Sequence, residues 1–515
     1  MSNLPSLRRS GINVLSIWGQ RLGGIIVALV VTPIITRHFG LELVGIWLLV
    51  SQFVQHLSLI ELGLNSSLTR FLARYRADGD LKEASRYLSA SVISLSFLGL
   101  LILLFSPLLA KTFVLMFNLS KVAVEQAYLL VLVALVYVAI SLPLRTAKGM
   151  LSSLHRFERV AMWNVHVLVI RLLLVLICFQ WFDPDLLMLG LITFAPMILG
   201  DLMMYRDGRH RNQDLLISHS LLSRRVFVQM FSITGSALVI TLAGMMTRQT
   251  SPMLVGYQYG AAVVAVLALP LMIASAVTPI LGVASRLIAP IASQLAASDS
   301  KNVLYGFTVI ASRYVFSLAL LVMVGSYYLG YPFFKIWLEG SKIDDDILYR
   351  MSSILFVIFA GIAFATPGFV MRSILISVGR HWQAAVAEIL GAFIGIVVGI
   401  WLMIATNLGV VGMAVGISIA FVVRGAGFLM FRGANYFSVS YFRLMFDCIA
   451  KPVVIVILAI VSSQFGLAWK GYPQGMWMVG LVPFFIAFTI WVFGVWFWIL
   501  ETDHKRALID KLSIY

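Results

Sequence analysis

Five arginines stand where arginine is costly. Arg21, Arg171, Arg248, Arg313 and Arg424 each interrupt a long apolar run, and Glu61 does the same with a carboxylate. A charge at the centre of a membrane helix costs about 2.5–3.5 kcal/mol on the insertion scale, so such a residue faces a cavity or a partner. Arg21 lies about 13 Å into its run at the helical rise per residue, close to the middle of a hydrocarbon core about 30 Å thick. Arg171 and Arg313 are near mid-depth by the same measure, with Arg248 toward the outer end of its run and Arg424 in the inner half of its own. Asp201, Glu388 and Asp447 fall within a few residues of run ends, where they are expected to reach water, so the deep balance is basic. A guanidinium stays protonated and meets phosphate oxygens two at a time, which suits a diphosphate or an acidic sugar better than a cationic drug.

Each charge also has a plainer reading. Gln20 and Ser16 give Arg21 a local polar patch. Arg286 serves equally as an anchor at the inner mouth, and Arg171 and Arg313 suit structural pairing or snorkelling. Glu61 reads as a salt-bridge partner of Arg21 or Arg70, as a proton carrier, or as a gate latch. The resulting site expectation is substrate binding at Arg21, Arg248, Arg286 and Arg424, with coupling or gating at Glu61 and Arg70.

The elements that must position these residues follow from composition. The 515 residues are 61% hydrophobic and 12% charged, with mean hydropathy +0.97. Soluble domains carry about 25% charged residues, so the chain is an integral membrane protein. Fourteen apolar segments are expected, near 12–35, 44–68, 86–110, 123–144, 161–182, 186–204, 226–249, 263–285, 303–328, 348–370, 384–405, 410–431, 444–463 and 476–499. The first reads as a retained helix rather than a cleaved signal, because no small-residue cleavage site follows it. Lys and Arg in the connections favour the N-terminal side by about four to one, which places both termini in the cytoplasm and accounts for the net charge of +16 without nucleic acid. Cys178 and Cys448 lie in apolar stretches and offer no disulfide framework. Glycines four apart, Gly19 and Gly23 in the first helix and Gly391, Gly395 and Gly399 in the eleventh, suggest close backbone packing.

A weak internal repeat has six-helix spacing: Gly40, Val44 and Ile60 align with Gly260, Val264 and Ile280, and Pro143 and Arg156 with Pro367 and Arg380. The domain expectation is one six-helix lobe over 1–217, a second over 218–435, helices 13 and 14 over 436–500, and a cytoplasmic tail over 501–515. Two copies entering from one side would be related by a pseudo-two-fold axis along the membrane normal, with a cationic cavity between them.

Two blocks carry a family resemblance. One comprises Arg21, Pro33, Arg37, Phe39, Gly40, Gly45, Ile46, Trp47, Glu61, Gly63, Arg70 and the stretch from Ala73 to Gly79 and Asp80; the other is Ser285–Ala297. In these the chain resembles the polysaccharide-transport branch of the multidrug/oligosaccharidyl-lipid/polysaccharide exporter superfamily, the Wzx-type flippases. The resemblance implies an all-α, two-lobed transporter of about fourteen helices in a bacterial inner membrane. It implies as cargo an undecaprenyl-diphosphate-linked oligosaccharide moved from the inner to the outer leaflet by alternating access. A polysaccharide polymerase and chain-length machinery are candidate partners beside the lipid bilayer.

Other classes fare less well. No HExxH, no cysteine pair and no phosphate-binding glycine loop is present, so no metal, cofactor or nucleotide-driven step is expected. A cation-coupled multidrug exporter of the same superfamily conflicts with the basic balance at depth. A membrane polymerase or ligase would want a large outer domain, and the longest outer loops, around 329–347 and 464–475, are short. The protein is therefore expected not to be an enzyme.

Overall fold

The computed structural model describes residues 7–117, 119–230, 242, 244–297, 301–467 and 476–499; within these, some side chains, that of Arg286 among them, are not described. Every described regular element is helical. Twelve helices are long and apolar enough to cross a membrane, and Leu41–Leu57 is a shorter apolar helix. The expected all-α membrane fold is therefore found.

Two expected segments are absent from those twelve for different reasons. The second divides at Ser58 into α2 (Leu41–Leu57) and α3 (Leu59–Ala77). Most of the seventh, near 226–249, lies outside the described residues. Several helices outrun their apolar cores: the segment expected at 86–110 is α4, Leu81–Met116. Polar residues at those ends extend the helix into the interface.

The chain forms two compact units. The first comprises residues 1–242, 253–265 and 340–342; the second comprises 243–252, 266–339 and 343–515. In the first, α1 (Leu7–His38) packs on α7 (Phe157–Trp181), and α5 (Lys121–Leu144) packs on α4 and α8 (Leu186–His210). The short α6 (Thr146–Ser153) continues α5 beyond a break at Arg145. Most of α9 (Ser251–Tyr259) belongs to this unit, whereas the π-helical turn before it, Met246–Thr250, and most of the α10 that follows (Ala261–Ala297) belong to the second.

In the second unit, α11 (Lys301–Trp337) packs along α12 (Asp345–Ser377), and α13 (His381–Ala405) along α14 (Val410–Val422). A π-helical segment, Val423–Leu429, carries α14 into α15 (Met430–Phe437). α16 (Tyr441–Leu467) and α17 (Met476–Gly494) pack against α11 and belong to this unit.

Helix ends follow local rules. α3 closes with Gly79 at φ 75°, Gly79 N–H donating to the Arg76 carbonyl at 3.2 Å and Asp80 N–H to that of Tyr75 at 2.8 Å. A left-handed residue there is cheap only for glycine. Asp80 then caps α4 by accepting from Glu83 N–H at 2.9 Å.

The glycine expectation divides. A Cβ on Gly395 would lie 2.4 Å from Ala420 Cβ, and one on Gly416 would lie 2.4 Å from Gly399 Cα, so α13 and α14 touch backbone to backbone. Nothing lies within 4 Å of a Cβ at Gly19 among the described residues, and only Leu168 reaches Gly23, at 4.0 Å, so the close packing expected of the first helix is not found. Gly416→Ala should therefore destabilise the protein by about 1–3 kcal/mol through overpacking. Gly19→Ala should cost nothing, and thermal unfolding of the detergent-solubilised protein would show the difference.

Candidate functional site

Two buried ion-pair networks, one in each unit, hold the deep charges. In the first unit the chain breaks twice at neighbouring points. Ser58 separates α2 from α3, Arg145 separates α5 from α6 just after Pro143, and Arg145 Nη1 donates to Ser58 Oγ at 3.2 Å. A broken helix frees backbone carbonyls, which hydrocarbon does not tolerate unless side chains reach them. Asn65 does so, donating to the Arg145 carbonyl at 3.2 Å.

Glu61 enters at the first turn of α3, with its side chain 4% exposed. Its carboxylate meets Arg145 Nη1 at 2.8 Å and Lys148 Nζ at 3.3 Å, and accepts from Asn65 Nδ2 at 2.9 Å. Arg145 Nε also pairs with Asp201 of α8 at 3.1 Å, and its Nη2 donates to the Tyr137 hydroxyl. Two carboxylates thus face two cations, and the network is electrically balanced.

The second unit is organised around Glu388 of α13, with its side chain 5% exposed. Its oxygens meet Arg424 Nη1 at 2.7 Å and Arg372 Nη1 at 3.5 Å. Arg424 stands on the π-helical segment, its guanidinium 4.9 Å from the Phe421 ring and 5.4 Å from that of Phe369. Arg248 stands on the π-helical turn Met246–Thr250, is exposed, and has Arg424, Glu388 and Arg372 as its charged neighbours. Among the described residues, three guanidiniums therefore surround one carboxylate, a surplus of two positive charges. π-Helical turns mark functional sites in many proteins because they re-aim side chains without ending the helix.

The site expectations distribute as follows. Arg248 and Arg424 come together, while Arg21 belongs to the first unit. Arg21 is exposed beside the Trp18 ring at 5.9 Å, with no carboxylate within 4 Å among the described residues. Arg286 lies on α10, and its side chain is outside the described residues. Arg70 is exposed. The expected pairing of Glu61 with Arg21 or Arg70 is corrected: Arg145 and Lys148 take it, because the break after Pro143 turns them inward.

Asp201 and Glu388 were expected at water and are buried instead, each held by arginine. Arg171 lies 5.9 Å from the Trp47 ring, and Arg313 Nε donates to the Asp447 carbonyl at 2.6 Å, a structural tie between α11 and α16. Sequence reasoning missed Arg145, Lys148 and Arg372, having counted them as interfacial. One signal was available: the shift that aligns Pro143 with Pro367 also lays Lys148 on Arg372.

Removing a hub should cost more than removing a spoke. Arg145→Ala leaves Glu61 with Lys148 as its cation beside the Asn65 amide, and Asp201 without its ion-pair partner, and breaking a buried pair this way costs about 3–5 kcal/mol. Lys148→Ala leaves both stronger contacts in place and should cost well under half as much. Equal losses in thermal unfolding would contradict the network.

The model of the polysaccharide biosynthesis protein family matches residues 10–296, more than half of the chain. No curated protein matches the sequence. Among solved structures, the lipid II flippase MurJ in an inward closed conformation is similar, at TM-score 0.70 and 13% identity over 96% of this chain and 99% of that one. An inward-facing multidrug resistance MATE family transporter of the MOP superfamily is similar at TM-score 0.68 and 18% identity, over 81% of this chain and 94% of that one. A eukaryotic MATE transporter, AtDTX14, gives TM-score 0.58 at 14% identity over 87% and 99% of the two chains. The chain belongs to the polysaccharide biosynthesis protein family and is a multi-pass membrane protein with the fold of the MOP-superfamily transporters and flippases.

Proposed function

We propose that the protein is a flippase for an undecaprenyl-diphosphate-linked oligosaccharide, an O-antigen, capsule or exopolysaccharide repeat unit. It carries this cargo from the inner to the outer leaflet of a bacterial inner membrane by alternating access, with both termini in the cytoplasm. The observation that carries the reading is the cation surplus around Glu388. A diphosphate brings two or more negative charges, enough to balance Arg248, Arg372 and Arg424 once Glu388 is counted. Glu388 holds Arg372 and Arg424 in place, and Arg248, which has no carboxylate within 4 Å among the described residues, is the group left to close on the phosphates. A cationic drug at the same point meets net repulsion.

Arg21 and Arg286 are assigned to the substrate path, Arg21 because it is an exposed charge on a long apolar helix. Glu61 is the latch of the first unit, because α3 cannot leave α5 and α6 without breaking its pairs to Arg145 and Lys148. Arg70, exposed about two turns before the end of α3, is assigned to the gate with it. A polymerase and chain-length machinery would receive the product.

Expression in a strain deleted for the chromosomal copy tests the assignment. Arg21→Ala and Arg248→Ala should each abolish surface polysaccharide while the protein stays at its normal level in the membrane; Arg424→Ala also breaks the closest pair of buried Glu388, and should lower export well beyond the accompanying loss of protein. Arg313→Ala, which removes only the tie to α16, should lower thermal stability and leave export proportional to the protein that remains. Normal polysaccharide with Arg248→Ala and Arg424→Ala would overturn the reading.

A further inference from the structure

A second basic site lies away from the Glu388 cluster, in the first unit. A cavity of about 800 Å³ opens between the first turns of α7 and the last turns of α8. Its wall changes character along α8. Leu202 and Met203 line it about 25 Å from the start of that helix, and Arg206 and Arg209 follow one to two turns on, at about 30–35 Å. A hydrocarbon core is about 30 Å thick, so the change from apolar to basic falls where acyl chains give way to headgroups.

The acid in this site is already committed. Asp207 accepts from Arg159 Nε at 2.8 Å, Arg211 Nε at 2.9 Å and Trp163 Nε1 at 3.2 Å, which fixes Arg159 and Trp163 in the cavity wall. Arg209 donates through Nη1 to the carbonyls of Leu215 at 3.0 Å and Asn212 at 3.4 Å. Its Nε and Nη2 meet no acceptor among the described residues. Arg206 is exposed and has no carboxylate within 4 Å among the described residues. The cavity therefore presents arginine donors with too little acid to use them.

The surface leading into the cavity is apolar on the same helix face. At the helical repeat, Leu191, Leu199 and Leu202 of α8 fall on the stripe that Arg206 and Arg209 continue, and all three leucines are exposed. On α7, Ile170, Leu173 and Ile177 are exposed on the stripe above Arg159 in the same way.

We propose that this cavity binds an anionic glycerophospholipid of the inner leaflet. The phosphodiester lies on Arg206 and Arg209, and the acyl chains run along the exposed leucine and isoleucine stripes. Basic pockets between membrane helices at a cytoplasmic interface suit such headgroups, and arginine suits the phosphodiester because it offers paired donors. The lipid would clamp α7 to α8 at the end where Asp207 joins them.

The test uses the full chain in detergent, with native mass spectrometry and thermal unfolding as readouts. Phosphatidylglycerol should bind and raise the melting temperature, whereas phosphatidylcholine should do neither. Arg206→Gln should weaken phosphatidylglycerol binding several-fold, and Arg206→Gln with Arg209→Gln should weaken it about tenfold or more, in proportion to the charge-assisted bonds removed. Because Arg206 is exposed, its single variant should keep the lipid-free melting temperature and so isolate binding from folding. Glycerol phosphate and inorganic phosphate, which lack chains, should not saturate the site at millimolar concentration. Equal retention of the two phospholipids, or unchanged phosphatidylglycerol binding in Arg206→Gln, would overturn the proposal. Tight binding of glycerol phosphate would make the site one for free phosphate, and displacement of phosphatidylglycerol by a short polyprenyl diphosphate would assign it to the cargo; either result overturns the phospholipid assignment.

Discussion

A charged side chain withdrawn from water must find opposite charge or hydrogen bonds, and both units are built around that requirement. In the first, Arg145 is the hub: it satisfies Glu61, Asp201, Ser58 and Tyr137 from one guanidinium. In the second, Glu388 is the hub, and arginines converge on it. Among the described residues, one network closes on itself electrically and the other does not. A closed network acts as a structural clasp, whereas an open one attracts a counter-charge from outside the protein.

Both networks depend on irregular helix. A straight helix places ionisable groups at fixed angles and keeps its backbone polar groups to itself. The breaks at Ser58 and Arg145 release backbone groups that Asn65 then satisfies, and they turn α3 and α6 so that Glu61 meets Lys148. The π-helical turns carrying Arg248 and Arg424 shift those side chains relative to their helices. Close contact between α13 and α14, permitted by Gly395, Gly399 and Gly416, brings Arg424 within reach of Glu388. Replacing any of these glycines with a larger residue would separate the pair before it touched the charges themselves.

Much of this was legible in the sequence. Apolar runs gave the all-α membrane fold and most span positions, because hydrocarbon leaves few alternatives to helix. Arg248 and Arg424 stood out as arginines within apolar runs, and they converge. Arg145, Lys148, Arg372 and Glu388 did not stand out, because charge near a run end normally means water. Only the three-dimensional path of the broken helices turns them inward. The split at Ser58 was hidden for a related reason: no proline or glycine stands within four residues of it, and one serine satisfied by the Val54 carbonyl at 3.0 Å carries no strong breaking signal. The difference between the glycine pairs was equally unreadable, since identical spacing at Gly19 and Gly23 meets no close backbone.

The central claim is that the cation surplus around Glu388 holds the phosphates of a lipid-linked cargo. The most direct measurement is the affinity of the purified protein for a short polyprenyl diphosphate and for the matching monophosphate, in the wild type and in Arg248→Gln. Arg248 makes no carboxylate pair within 4 Å among the described residues, so its loss should leave the melting temperature unchanged. The account predicts tighter binding of the diphosphate by the wild type, and a loss of about tenfold in the variant, the worth of one charge-assisted contact. Equal affinity for the two lipids, with no change in Arg248→Gln, would contradict it.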